Sequence, residues 1–142
     1  MAHLAELLRK RSPVVNVLSP DQTVGEATRL MAAREVGCVL LVEAGGIVGI
    51  FSERDLLRRV LAKGESPEST PLRGVMTRDP ITASPDEDRM AAVLKMRKIG
   101  CRHLPIVLEG IVIDTISIRD LVFDEIDHQT SQIEDLKRYI QG

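Results

Sequence analysis

Gly49-Ile50-Phe51-Ser52-Glu53-Arg54-Asp55-Leu56 is the stretch on which the fold turns. Its Ser, Arg, Asp and Leu return as Ser117, Arg119, Asp120 and Leu121, 65 residues further on. Working outward at the same offset, Gly45 matches Gly110, Val42 matches Val107, Met31 matches Met96 and Ala27 matches Ala92. Ser19-Pro20-Asp21 likewise matches Ser84-Pro85-Asp86, and no gap is needed between these points. Unrelated segments of ordinary composition share about two or three identities over such a length. Two copies of one unit predict a pseudo-two-fold pair with two equivalent clefts.

Each copy carries the same run of local signals. Val14 to Leu18 is β-branched and reads as extended. Asp21 or Thr23 can cap a helix, with Glu26 placed to close a capping box on Thr23. Val24, Ala27, Leu30 and Met31 give that helix one apolar face, and Gly37 is expected to end it. Cys38–Val42 reads as a buried strand, Gly45-Gly46 as a tight turn, and Ile47–Phe51 as the returning strand. Ser52 opens a second helix with Leu56, Leu57, Val60 and Leu61 on one face.

The cycle restarts with an extended Pro80–Ala83, a helix from about Asp86 to Ile99, strands Leu104–Leu108 and Ile111–Ile116, and a helix from Ser117. This is an α+β chain of two strand-helix-strand-strand-helix units. The expected division is an N-terminal helix within residues 1–11, a first unit over 12–63, a polar linker over 64–74, a second unit over 75–125 and a C-terminal helix over 126–142. The N-terminal helix spans 2–11, and its closing Arg9-Lys10-Arg11 reads as a solvated, dipole-matched end. Ile126, Ile133, Leu136 and Ile140 keep helical spacing in the tail, which is expected to pack on the N-terminal helix or on a second subunit.

Composition narrows the function classes. At 44% hydrophobic and 28% charged, 142 residues can build a core under a soluble surface. Only 2% are aromatic, so the core is aliphatic and stacking platforms for single-stranded nucleic acid are disfavoured. A net charge of -2 gives no broad attraction to a phosphate backbone or an anionic membrane. No apolar run approaches the roughly 20 residues that span a bilayer, and the first eleven residues lack a signal-peptide core. The expectation is a cytoplasmic protein with no nucleic-acid and no membrane partner. Cys38 and Cys101 lie in or beside apolar runs without metal or redox spacing and read as small buried hydrophobes.

Catalytic signatures are missing from the sequence. His3, His103 and His128 have no flanking nucleophile or acid that implies a triad, and no phosphate-binding glycine motif or zinc spacing occurs. The repeated stretch offers different chemistry. A hydroxyl at a strand-to-helix junction, a carboxylate three residues on and an arginine between them suit a helix N-terminus, where free N–H groups attract phosphate. An Asp in the first turn can accept both hydroxyls of a ribose, and the small Gly49 would let a flat ring approach the backbone. Ser-x-x-Asp is equally a capping box, and the motif by itself does not choose between the two.

The wider pattern resembles a tandem pair of cystathionine-β-synthase (CBS) domains, a Bateman module, over about residues 12–125. Val75-Met76-Thr77-Arg78-Asp79-Pro80-Ile81 looks like the usual entry into a second copy, and Arg102-His103-Leu104-Pro105-Ile106-Val107 is similar to that copy's second strand.

The resemblance implies a non-catalytic, stand-alone regulatory module. It would require no cofactor and would take AMP, ADP, ATP or S-adenosylmethionine as a regulatory ligand between the copies. It would act as a homodimer on an effector protein. The alternative is an interaction or dimerisation module with degenerate ligand sites. The family's ribose-binding Asp falls on Asp55 and Asp120 and its hydroxyl on Ser52 and Ser117, with Arg54 and Arg119 between. Val15 and Val17, and Ile81 and Thr82, match the segments that flank the base, and His103 and Leu104 lie where the second strand enters the cleft. The residue matching Gly49 in the second copy is Asp114. Its bulk and charge beside a phosphate lead to the expectation that the first cleft binds better.

Overall fold

The computed structural model describes residues 3–141, so Ala2, the expected first residue of the N-terminal helix, lies outside the described residues. Helix α1 covers Leu4–Arg9. In the first copy β1 (Val17–Leu18) runs parallel to β2 (Cys38–Glu43), and β2 pairs antiparallel with β3 (Gly46–Ser52). A fourth strand, β4 (Thr77–Arg78), adds to the free edge of β3, giving the order β1-β2-β3-β4. The second copy has the hairpin β5 (His103–Leu108) and β6 (Ile111–Ser117). A single parallel bridge from Ala83 to Ile106 stands where Leu18 pairs with Leu41 in the first copy. Both hairpins carry an irregularity at the same place, Leu41/Val42 and Ile106/Val107.

Local chemistry sets the helix and turn boundaries. Thr23 caps α2 (Val24–Arg34): its hydroxyl accepts from the Glu26 N–H at 3.2 Å, while the Glu26 carboxylate accepts from the Thr23 N–H at 3.2 Å. The left-handed residue that ends α2 is Glu35 (φ 55), not Gly37. Gly37 is small for another reason: a Cβ there would lie 2.9 Å from Glu53 Oε1 and 3.0 Å from the His103 ring. The first hairpin turns on Ala44-Gly45 (φ 53 and 80), one residue earlier than expected, and the second on Glu109-Gly110 (φ 52 and 79). Both are two-residue loops in the left-handed conformation that matches strand twist.

Asp88 caps α4 (Arg89–Ile99), which starts later than the sequence suggests and ends on Gly100. Helix α3 (Glu53–Asp55) continues as a π-helical segment, Leu56–Leu61. Helix α5 runs unbroken over Ile118–Gln141.

Each copy has its own core, aliphatic except for Phe51 in the first. Val24, Ala27, Met31, Val39, Leu41, Phe51 and Val60 form the first. Ala83, Ala92, Met96, Leu104, Ile106, Ile116 and Leu121 form the second. The openers are exchanged. Leu4 and Leu7 of α1 pack into the second core, and Leu72, 65 residues after Leu7, packs into the first. Residues 64–74 are therefore more than a polar spacer, since Leu72 is fully buried in a short 3-10 turn, Leu72–Gly74.

Candidate functional site

Both repeated motifs cap their helices. In the first copy the Ser52 N–H and hydroxyl donate to Asp55 Oδ2 at 3.0 and 3.1 Å, and the Asp55 N–H donates back to Ser52 Oγ at 3.3 Å. In the second, the Ser117 N–H donates to Asp120 Oδ2 at 2.9 Å and the Asp120 N–H to Ser117 Oγ at 3.1 Å. What separates them is the carboxylate capacity left over.

Asp55 is spent. It is 8% exposed, its Oδ1 accepts from Thr77 Oγ1 at 3.3 Å, and Arg59 Nε lies 3.5 Å away. The residue matching Arg59 is Asp124, an acid that is itself engaged by Lys10 and Arg89, so the second motif has no cation at this position. Those two cations hold the Asp124 carboxyl below the usual range, against the upward push of its burial. Asp120 thus stays open. Its side chain is 34% exposed, and its Oδ1 accepts no hydrogen bond from the described residues.

Asp120 borders a cleft of about 1020 Å³ between the copies. Ser117, Arg119, Asp120 and Phe123 line one wall, Val36, Gly37, Cys38 and Glu53 the other, and Val14 and Asn16 run along the edge. Arg119 lies over the Phe123 ring at 5.8 Å. His103 and Arg102 enter from β5. Burial, helped by the Arg102 charge, lowers the His103 pKa, against the opposing pull of Glu53 and Asp120. The Cys38 thiol is pushed up to about 12, first by burial and then by Cys101 and Glu53. It is a neutral wall group rather than a nucleophile. Among the described residues no cluster of His, Cys, Asp and Glu is arranged to hold a metal.

Of the residues singled out from sequence, the cleft collects His103, Ser117, Arg119 and Asp120. Ser52 and Asp55 close on each other outside it, and Arg54 donates to the Gly100 carbonyl at 2.8 Å, tying it to the end of α4. Val15 and Val17 are exposed, while their neighbours Val14 and Asn16 face the cleft. Alternation along an extended segment makes this a one-residue difference in phase. Ile81 is exposed, the Thr82 carbonyl accepts from Lys95 Nζ, and Leu104 is fully buried in the second core.

Asp114 does not crowd the cleft. It is 2% exposed, and its Oδ1 accepts from Arg11 Nη2 at 2.9 Å, from the Val14 N–H at 3.0 Å and from the Thr115 N–H at 2.7 Å. The expectation of a better first cleft therefore loses its physical basis. Gly49 makes room for the chain itself: a Cβ there would lie 2.5 Å from Met76 Sδ and 3.1 Å from the Thr77 carbonyl. Arg11, read from sequence as part of a solvated helix end, is a charged cleft residue that sequence reasoning missed, as it missed Glu53 and Phe123. The available signal was the offset itself, since Arg11 matches Met76 as Asp114 matches Gly49.

Comparison with known proteins places this geometry. The CBS domain profile matches residues 4–62 and again 72–124. The CBS domain-containing protein CBSCBSPB2 of Arabidopsis thaliana is 39% identical over 118 residues, covering 82% of this chain but 22% of that protein. The chain spans 62% of a second Arabidopsis relative, the mitochondrial CBS domain-containing protein CBSX3, at 32% identity. Among solved structures, a putative signal-transduction protein with CBS domains from Burkholderia ambifaria superposes with a TM-score of 0.85 at 29% identity, covering 90% of this chain and 96% of that one. A CBS domain protein from Pyrobaculum aerophilum, complexed with AMP, gives 0.75 at 28% identity, covering 84% and 89%.

Proposed function

Since the chain belongs to the CBS domain family as a tandem pair, we propose that it is a non-catalytic regulatory module binding one adenosine-containing ligand in the cleft between its copies. The observation that carries the reading is the contrast between Asp120 and Asp55. One carboxylate borders a large cleft with a free oxygen, and the other is sealed by Thr77 and Arg59. Asp120 Oδ1 supplies an acceptor for a ribose hydroxyl and the Arg119 N–H, in the first turn of α5, a donor for a phosphate, since the Ile118 and Asp120 N–H groups already donate to the Arg102 carbonyl and to Ser117 Oγ; Arg119 and Arg102 are nearby cations. The AMP complex of the Pyrobaculum relative makes AMP the first ligand to test, ahead of ADP, ATP and S-adenosylmethionine.

The ligand touches both copies, so it favours one relative orientation, which an effector protein reads. The module works in the cytoplasm as a homodimer, using apolar residues that α5 leaves exposed, Ile126, Ile133, Leu136 and Ile140. Sedimentation at rising concentration checks that assembly, and a strict monomer removes it.

Ligand at 100 times its dissociation constant stabilises the fold by about 2.7 kcal/mol, a shift of several degrees. Calorimetry with AMP should give one site per chain, abolished by Asp120→Ala and kept by Asp55→Ala. No thermal shift with any of the four ligands would overturn the reading in favour of an interaction module. Two equal sites would overturn the asymmetry.

A further inference from the structure

We infer that Arg11 is the positioning residue of the cleft, holding the Asp120 carboxylate where a ligand's hydroxyls meet it; this rests on the ligand reading above. The copies provide an internal comparison. Where the chain crosses β3 in the first copy, Met76 meets Gly49, an apolar side chain over a bare backbone. At the matching crossing of β6, Arg11 meets Asp114. Both members of the pair differ together, and packing alone is already served by the Met–Gly solution.

The charged solution has a penalty that the apolar one avoids. Arg11 Nε is buried without an acceptor, the one such side-chain atom found among the described residues. A buried donor left unpaired calls for a reason beyond packing. The reason lies at the other end of the guanidinium. Nη2 is fixed by Asp114 Oδ1 and by the Thr115 carbonyl, both at 2.9 Å, and this anchors Nη1 at 3.7 Å from Asp120 Oδ2. Nη1 and the Ser117 N–H thus stand on the same oxygen. The other oxygen, Oδ1, is left for the ligand. The first copy has no cation at the position of Arg11, and its Asp55 is turned inward to Thr77 and Arg59 instead.

The test uses the full chain and AMP, by calorimetry and thermal unfolding. Arg11→Met with Asp114→Gly rebuilds the first copy's crossing in the second. This double variant is expected to fold but to bind AMP about tenfold or more weakly, since the Asp120 carboxylate that meets the ligand is then misplaced. Arg11→Gln keeps a donor for Asp114 without the cation and is expected to lose affinity likewise, so the test survives if the double variant does not fold. Unchanged affinity in Arg11→Gln, or in a folded double variant, overturns the inference alone. Failure of the unmodified chain to bind AMP, ADP, ATP and S-adenosylmethionine overturns the ligand reading and the inference with it.

Discussion

Asp55 and Asp120 occupy the same place in two copies of one sequence and meet opposite surroundings. The difference comes four residues further on, where Arg59 reaches back to the Asp55 carboxylate while Asp124 brings no cation to Asp120. His103 makes a second residue-scale point. It packs against Gly37 across the cleft and is held toward its neutral form by burial, with Arg102 acting in the same sense and Glu53 and Asp120 against it. Protonation is then easier in the unfolded chain. The stabilising contribution is fully present above the ordinary histidine value of about 6.5 and is lost as pH falls through the lower folded value. Between about pH 7 and 5.5 the melting temperature of His103→Gln should decline less than that of the unmodified chain. Parallel declines would show that His103 does not carry the dependence.

At the scale of elements, the sequence was legible wherever structure is decided by neighbours along the chain. The Thr23–Glu26 box, the two Ser–Asp caps and the strand pair on either side of Glu109-Gly110 all follow from residues a few positions apart. What was not legible depends on distant partners. Nothing local says that Arg11 will meet Asp114, 103 positions away, or that β4 will close the edge of β3. The phase of the edge segment was missed for the same reason. A β-branched run shows that it is extended, but which side faces inward is set by the sheet it joins.

Gly49 illustrates the point and gives a test. Its smallness reads from sequence as room for a ligand, whereas the Met76 side chain and the Thr77 carbonyl of the crossing segment fill that room. Gly49→Ala should therefore destabilise the fold by about 1–3 kcal/mol, because the Thr77 carbonyl cannot swing aside as the Met76 side chain can. Denaturant unfolding measures this, and AMP affinity at Asp120 should be unaffected. A neutral effect on stability would mean that the crossing relaxes freely.

The whole molecule depends on the exchange of openers between the cores. Leu4 and Leu7 serve the second core and Leu72 the first, while β4 borders the first sheet and Arg11–Val14 borders the second. The two copies are therefore sequential in the chain but reciprocal in space. Cutting between them leaves each piece without a part of its own core. Fragments 1–64 and 65–142 should each fail to melt cooperatively alone and should regain a cooperative transition when mixed, followed by circular dichroism. A cooperative melt of either fragment by itself would show the exchange to be dispensable.

The exchange also bears on synthesis and ancestry. During translation the first core stays incomplete until residues beyond Leu72 have emerged, and α1 has no core to join until the second copy follows. The smallest heritable piece of this architecture is the pair. A single unit by itself would leave open the place in its core that the other unit's leading segment fills, so it could be completed only by a second chain lending that segment.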